Sequence, residues 1–240
     1  MRGMLHKPRR KSAPLVIIIH GYFSSDKLGP ARLYVQIARA LVAIGFHVLR
    51  FDFTGFGESD GEMKSVTLNS ELEDGQAVIS YMEKLGYKSG IILLGHSFGS
   101  NLSILLAERC KAVAKVLGIS PVYEKNSENK YLDENQVKRL NETGLVSRKG
   151  FIVNRKFINT LNEAPGFNGE CNIKVPVTII RGALDEFYTS KRISRMIRKF
   201  PNWRLIEIED ADHNFMEPYA RAKLLDVIVN ELKGCLKQQA

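Results

Sequence analysis

This sequence of 240 residues has little cysteine and no long hydrophobic run. Cys110, Cys171 and Cys235 lie far apart and form no CxxC pair, which argues against a disulfide framework or a zinc site and favours a reducing compartment. The apolar run near residue 15 is too short for the core of a signal peptide, and nothing approaches the roughly 18 apolar residues of a membrane span. We therefore expect a cytoplasmic protein with no bound metal and no membrane contact.

Acidic residues are also in deficit, since 35 Lys and Arg face 26 Asp and Glu and the net charge is +9. Such a balance can indicate nucleic-acid binding, but here the basic residues are scattered along the chain. The two densest patches, residues 7–11 and 191–199, fall at a terminus and on a predicted helix. We interpret them as solvated surface and expect no nucleic-acid partner.

Short apolar runs alternate with longer segments of helical periodicity in the first half of the sequence. This alternation predicts an α/β fold with a mostly parallel central sheet flanked by helices. Thr67 is a candidate cap for the second predicted helix. The predicted strands are 15–20, 46–53, 91–94 and 113–119, and the predicted helices are 30–44, 67–85 and 97–109.

Residues 121–173 differ in character, because they are rich in Asn, Glu and Lys and have no strong apolar period over much of their length. We interpret them as an insertion with two helices, within a single domain that covers residues 1–240. The strand and helix pattern then resumes, with strands at 175–180 and 203–208 and helices at 190–200 and 217–236.

The segment GHSFG at residues 95–99 lies between a predicted strand and a predicted helix. A turn this sharp strains its central residue and needs small residues on either side, which Gly95 and Gly99 supply. It would lift the Ser97 hydroxyl clear of the sheet. The spacing is GxSxG rather than GxGxxG, so a nucleotide-binding loop is not favoured.

A serine nucleophile needs a base, and the sequence has only five histidines. His6 lies in the basic N-terminal segment, His20 ends a strand, His47 lies inside a strand and His96 occupies the variable position of the turn. His213 follows a late strand in the polar segment EDADHNF. It is therefore the predicted base.

The base in turn needs an acid that orients it. Asp185 follows the strand at 175–180, so it is expected at the carboxyl edge of the sheet with Ser97 and His213. Glu186 is its main rival, and Asp210 and Asp212 also flank the histidine. For the oxyanion of an acyl-transfer reaction, the backbone N–H groups of Phe98 and Tyr22 are the candidate donors.

With these residues assigned, the sequence resembles the α/β-hydrolase superfamily. The resemblance rests on HGY at 20–22, GHSFG at 95–99, GALD at 182–185 and ADH at 211–213, in the order Ser, Asp, His. RFDFTGFGESDGE at 50–62 and GFIVNRKFINTL in the insertion are more narrowly similar to small feruloyl or cinnamoyl esterases. In those enzymes an insertion of this length roofs the substrate pocket, so the resemblance implies that residues 121–173 form a cap.

The sequence also departs from the family pattern. Few residues precede the first clear strand, which leaves room for one strand near residues 3–7 in place of the antiparallel strands that usually open this fold. Phe98 stands where many relatives carry Gln or Met, and Ser100 stands where many carry Gly. The HGGG form of one lipase and esterase branch is absent.

The function expected from these patterns is that of a cofactor-independent serine esterase acting on a small-molecule ester with a short acyl or an aryl group. A peptidase, an acyltransferase or a perhydrolase would share the same three residues, and a non-catalytic binding protein is the contrasting class. Phe151, Phe157 and Phe167 are candidates either for the pocket or for the insertion's own core, and the core is favoured for each.

Overall fold

The structure is a computed structural model of the chain. It describes residues 1–9, 13–22, 26–88, 90–122, 132–148, 150–163, 172–187 and 190–239.

Nine strands and seven α-helices are seen in these ranges, and we number them in chain order. The strands are β1 (Arg2–His6), β2 (Leu15–Ile19), β3 (His47–Asp52), β4 (Ile91–His96), β5 (Val113–Ile119), β6 (Leu145–Arg148), β7 (Phe151–Asn154), β8 (Val177–Gly182) and β9 (Trp203–Ile208). The helices are α1 (Leu33–Ala43), α2 (Leu68–Lys84), α3 (Phe98–Arg109), α4 (Glu134–Thr143), α5 (Arg155–Glu163), α6 (Ser190–Ile197) and α7 (Pro218–Lys233). Short 3₁₀ turns cover Pro30–Arg32, Met63–Ser65 and Gly234–Gln239.

Seven strands form one sheet in the order β1-β3-β2-β4-β5-β8-β9. Six of them run parallel, and only β1 pairs antiparallel, with β3. The predicted α/β architecture is therefore confirmed, and β1 occupies the place predicted for a single opening strand. Parallel pairing brings the carboxyl ends of β2, β4, β8 and β9 to one edge, where ligands of open α/β sheets bind.

Helices cover both faces of the sheet. Because successive side chains of a strand point to opposite faces, each strand contributes to the core on either side. In β2, Leu15, Ile17 and Ile19 belong to the core on the side of α2 and α3, whereas Val16 and Ile18 belong to the core on the side of α1 and α7. All five are buried, which explains why β2 is a continuous apolar run rather than an alternating one.

The segment between β5 and β8 holds α4, the β6–β7 hairpin and α5. It is joined to the rest of the chain by hydrogen bonds: Asn154 Nδ2 donates to Val66 O at 2.6 Å, and Leu68 N donates to Thr160 Oγ1 at 3.1 Å. Its apolar residues Leu140, Val146 and Val153 are buried and continuous with the core on the α2 side.

Most predicted elements are seen within two or three residues of their predicted bounds. Thr67 caps α2 by accepting a hydrogen bond from Ser70 N, as its position indicates. The β6–β7 hairpin is the main addition, since its four-residue strands are too short to show a clear alternating pattern. In the described ranges, no helix is both long and apolar enough to span a bilayer.

Candidate active site

Ser97 lies in the turn between β4 and α3 with φ 56° and ψ −125°, a strained conformation for a residue other than glycine. Its backbone N–H donates to Ile119 O at 2.8 Å, which fixes the turn to the end of the neighbouring strand β5. Strain of this kind persists only where the surroundings determine it, and it is common at functional sites.

The glycines on either side of Ser97 are required by close backbone contacts. A β-carbon at Gly95 would clash with the Gly99 carbonyl oxygen and lie 2.5 Å from Ser103 Oγ. A β-carbon at Gly99 would lie 2.8 Å from the His20 carbonyl carbon and closer still to its oxygen. Glycine at 95 therefore allows β4 and α3 to pack closely at the turn, and glycine at 99 allows the turn to approach the end of β2.

Ser100 packs against Gly118 of the neighbouring strand β5. It is fully buried in the first turn of α3. A β-carbon at Gly118 of β5 would clash with its hydroxyl oxygen, so the glycine at 118 provides the space that Ser100 fills.

The structure brings Ser97, His213 and Asp185 together at the carboxyl edge of the sheet. His213 Nε2 lies 3.0 Å from Ser97 Oγ, and His213 Nδ1 lies 2.9 Å from Asp185 Oδ2. A carboxylate only accepts, so Nδ1 carries the hydrogen and Nε2 is left to accept from the serine hydroxyl. This arrangement can pass a proton from the hydroxyl to the imidazole while the carboxylate stabilises the resulting cation.

Asp185 is held as a buried carboxylate, with 5% of its surface exposed. Burial acts to raise its pKa, but the hydrogen bond and charge of His213 and the N–H of Phe187 outweigh burial and hold the pKa below its ordinary value. Two other candidate acids near the histidine are placed differently. The Glu186 side chain is exposed, and Asp212 Oδ1 accepts the backbone N–H of Met216 at 2.8 Å.

Arg181 supports the loop that carries the acid and was not singled out from the sequence. This buried side chain of β8 donates from Nη2 to the Asp185 carbonyl oxygen at 2.8 Å. It also pairs with Glu207 of the adjacent strand β9. The available signal was an arginine inside the otherwise apolar strand that immediately precedes the acid.

The two candidate oxyanion residues lie beside Ser97. Phe98 is the first residue of α3, so its backbone N–H lies at the N-terminus of that helix, directly after Ser97. Gly21 passes so close that a β-carbon there would lie 3.2 Å from Ser97 Cβ, and Tyr22 follows it directly. The segment is clamped by His20, which bonds Gly21 O through Nδ1 at 2.7 Å and accepts the Phe53 N–H at Nε2.

Aromatic rings connect this region to the insertion. The Tyr22 ring stacks on Phe157 of α5 with centroids 4.0 Å apart and meets Phe98 edge-on at 6.1 Å, and its hydroxyl donates to Ile152 O at 3.1 Å. Phe157 is buried in this contact, so it joins the insertion to the site as well as to a core. Phe151 is half-buried, and Phe167 lies outside the described residues.

Within the part of the chain that the structure describes, no group of three or more His, Cys, Asp or Glu side chains is arranged to hold a metal ion. The charged and polar groups around Ser97 are instead engaged with one another.

Comparison with known proteins gives a family match over residues 10–149, to the family described as serine aminopeptidase, S33. Among curated relatives, Esterase EstD of Thermotoga maritima is 30% identical over 137 residues, which are 56% of this chain and 32% of that protein. The quorum-quenching protein AidA of Acinetobacter baumannii is 26% identical over a region that covers 67% of this chain and 53% of that protein. The chain thus spans about a third to a half of these two relatives.

The fold is shared over nearly the whole chain with solved α/β-hydrolase structures. Est1E of Butyrivibrio proteoclasticus, solved with ferulic acid bound, superposes with a TM-score of 0.81 at 23% identity, covering 99% of this chain and 94% of that one. At this identity the likeness establishes the fold.

Proposed function

The chain belongs to the serine aminopeptidase S33 family and has the α/β-hydrolase fold, and from this premise we propose that it is a serine hydrolase that cleaves carboxylic esters. The observation that carries the proposal is the hydrogen-bonded chain from Ser97 through His213 to Asp185, with distances of 3.0 and 2.9 Å. A buried carboxylate that orients a histidine against a serine in a strained turn is the arrangement that nucleophilic catalysis needs.

In the first half of the reaction, His213 Nε2 takes the proton of Ser97 Oγ as the oxygen attacks the ester carbonyl carbon. The negative charge that develops on the carbonyl oxygen is held by the backbone N–H groups of Tyr22 and Phe98. The tetrahedral species collapses to an acyl-enzyme on Ser97, and the departing alcohol takes its proton from His213.

In the second half, water attacks the acyl-enzyme while His213 takes one of its protons. Collapse of the second tetrahedral species returns that proton to Ser97 and releases the carboxylic acid. Asp185 stays ionised throughout and fixes the Nδ1–H tautomer of the base. The low pKa of its carboxyl supports this role, because a neutral acid would not stabilise the imidazolium.

We place the substrate between the sheet edge and a cap formed by residues 121–173 of a single domain. The contacts of Tyr22 with Phe157 and Ile152 support this, because they put the insertion directly against the oxyanion region. The aromatic rings of Tyr22, Phe98 and Phe157 favour a short acyl or an aryl group over a long chain, and the ferulic acid bound to Est1E is consistent with that preference.

An aminopeptidase is the second candidate, and the description of the matched family favours it. The same three residues would attack a peptide carbonyl, and the leaving amine would take the proton from His213. The two candidates separate on substrates that differ only in the scissile bond, so a matched ester and amide of one acyl group are the decisive pair.

The test uses purified protein with p-nitrophenyl acetate, butyrate and octanoate, methyl ferulate, and an aminoacyl ester with its matching anilide. Wild type, Ser97→Ala and Ser80→Ala are compared; Ser80 is an exposed serine on α2 and serves as the control. We expect turnover of the short or aryl esters that falls by several orders of magnitude only in Ser97→Ala. Unchanged hydrolysis by Ser97→Ala, or no turnover of any substrate by wild type, would contradict the proposal, and preference for the anilide would favour the peptidase.

A further inference from the structure

His96 precedes the candidate nucleophile, and both nitrogens of its buried ring are engaged. Nδ1 lies 3.0 Å from the Tyr34 hydroxyl of α1, and Nε2 lies 3.0 Å from the backbone carbonyl oxygen of His213. Because a carbonyl oxygen only accepts, Nε2 must carry the ring hydrogen, and Nδ1 accepts from the tyrosine hydroxyl. The contacts therefore define one neutral tautomer.

We propose that His96 and Tyr34 form a positioning pair that fixes the backbone of the base, His213. The inference rests on the proposed function, since it assigns His213 the role of base. His96 is rigid because it ends the central strand β4, and the Tyr34 hydroxyl donates to Nδ1, which supports the tautomer that the His213 carbonyl requires. The resulting N–H···O bond holds the His213 carbonyl in place and thereby keeps His213 Nε2 within reach of Ser97.

The loop that carries His213 needs such a contact, because it is strained on both sides of the histidine. Asp210 and Phe215 have φ values of 54° and 52°, which are unusual for residues with a side chain. A backbone in these conformations persists only when neighbouring groups hold it. The bond from His96 reaches the loop between the two strained residues, at the position whose side chain must be placed most accurately.

His96 also suits this role because it does not compete for the proton. Its ring centroid lies 5.5 Å from that of His213, so a charge on both rings would be unfavourable. Burial, followed by the nearby charge of His213, lowers the pKa of His96 to about 3, so it is neutral when His213 takes the serine proton. It acts as a fixed hydrogen-bond donor beside the proposed base.

Two substitutions at position 96 test the proposal because they differ mainly in where the donor lies. The amide nitrogen of Gln can occupy the place of imidazole Nε2, whereas the shorter Asn reaches only the place of Nδ1. His96→Gln should retain most of the wild-type kcat. His96→Asn should lower kcat by roughly 100-fold, as expected for misplacement of a reacting group by about 1 Å, with little change in KM. Tyr34→Phe should lower kcat by a smaller factor.

A readout without substrate separates this inference from the proposed function. The Nδ1 proton of His213, which bonds Asp185, should give a low-field NMR resonance in wild type and in His96→Gln. In His96→Asn it should broaden or move, while the urea unfolding midpoint of the two variants stays similar. Equal spectra for wild type, His96→Asn and Tyr34→Phe would overturn the positioning role, whatever the activity assays show. A loss of signal in His96→Gln as large as in His96→Asn would also overturn it.

Discussion

Replacing Gly99 by alanine tests whether the close contact between the Ser97 turn and the end of β2 determines both the stability of the fold and the rate of ester hydrolysis. The new β-carbon would lie 2.8 Å from the His20 carbonyl carbon, whereas carbon atoms in contact are about 3.5 Å apart. The carbonyl oxygens of Ile19 and His20 would lie closer still, so the backbone must shift by at least about 0.7 Å. Because all the atoms it meets first belong to backbone, no side-chain rotation can relieve the clash. We expect a loss of about 1–3 kcal/mol in the free energy of unfolding, as for other overpacked sites.

The same shift separates Ser97 and Phe98 from Tyr22, so the rate should fall more than the stability loss alone explains. A misplacement approaching 1 Å lowers a rate by roughly 100-fold. Urea unfolding and kcat/KM for a p-nitrophenyl ester are the two measurements. Gly234→Ala is the control, because Gly234 has φ −63° and no atom lies within 4 Å of its missing β-carbon. Wild-type stability and kcat/KM in Gly99→Ala would refute the close-contact account.

Two further predictions concern the acid and the buried histidine. Asp185→Asn should lower kcat by about 10⁴-fold, whereas Glu186→Gln should change it by less than about twofold because that side chain is exposed; a larger effect at Glu186 would reverse the assignment of the acid. Unfolding should also depend on pH through His96, whose pKa is 6.5 unperturbed and about 3 when folded. Between these pH values the unfolded chain binds more protons at this histidine than the folded chain does. The free energy of unfolding therefore has its full value above pH 6.5 and falls, by at most about 5 kcal/mol, as the pH drops toward 3. His96→Gln should flatten this dependence in urea titrations at several pH values, and an unchanged slope would contradict the burial argument.

The sequence predicted those features that depend on local pattern. The strand at Val113–Ile119 and the strand at Trp203–Ile208 are seen at their predicted bounds, because each is a short, mainly apolar segment followed by polar or turn residues. Ser97, Asp185 and His213 could be singled out for the same reason, since each follows a recognisable strand. Because parallel strands bring their carboxyl ends to one edge of the sheet, the convergence of these residues could be predicted without knowing how the side chains pack.

Features that arise from contacts between distant elements could not be predicted in this way. Tyr34 and His96 are 62 residues apart, and nothing in the helical pattern of α1 marks the tyrosine as a partner of the strand end. The sequence leaves Phe157 as a candidate for the pocket or for the insertion's core and favours the core; its ring is buried in the core and also stacks on Tyr22. Aromatic residues give the same signal in a core and at a site, so only the fold separates the two roles.

Covalent labelling of Ser97 tests the central claim most directly, because it requires an activated serine but no knowledge of the substrate. A fluorophosphonate probe bonds to Ser97 Oγ through phosphorus and releases fluoride only if the hydroxyl is activated by its neighbours. Intact-mass and peptide analysis should find one probe per chain, located at Ser97 in wild type and in Ser80→Ala, and none in Ser97→Ala. Failure of wild type to react, or equal labelling of Ser97→Ala, would contradict the account.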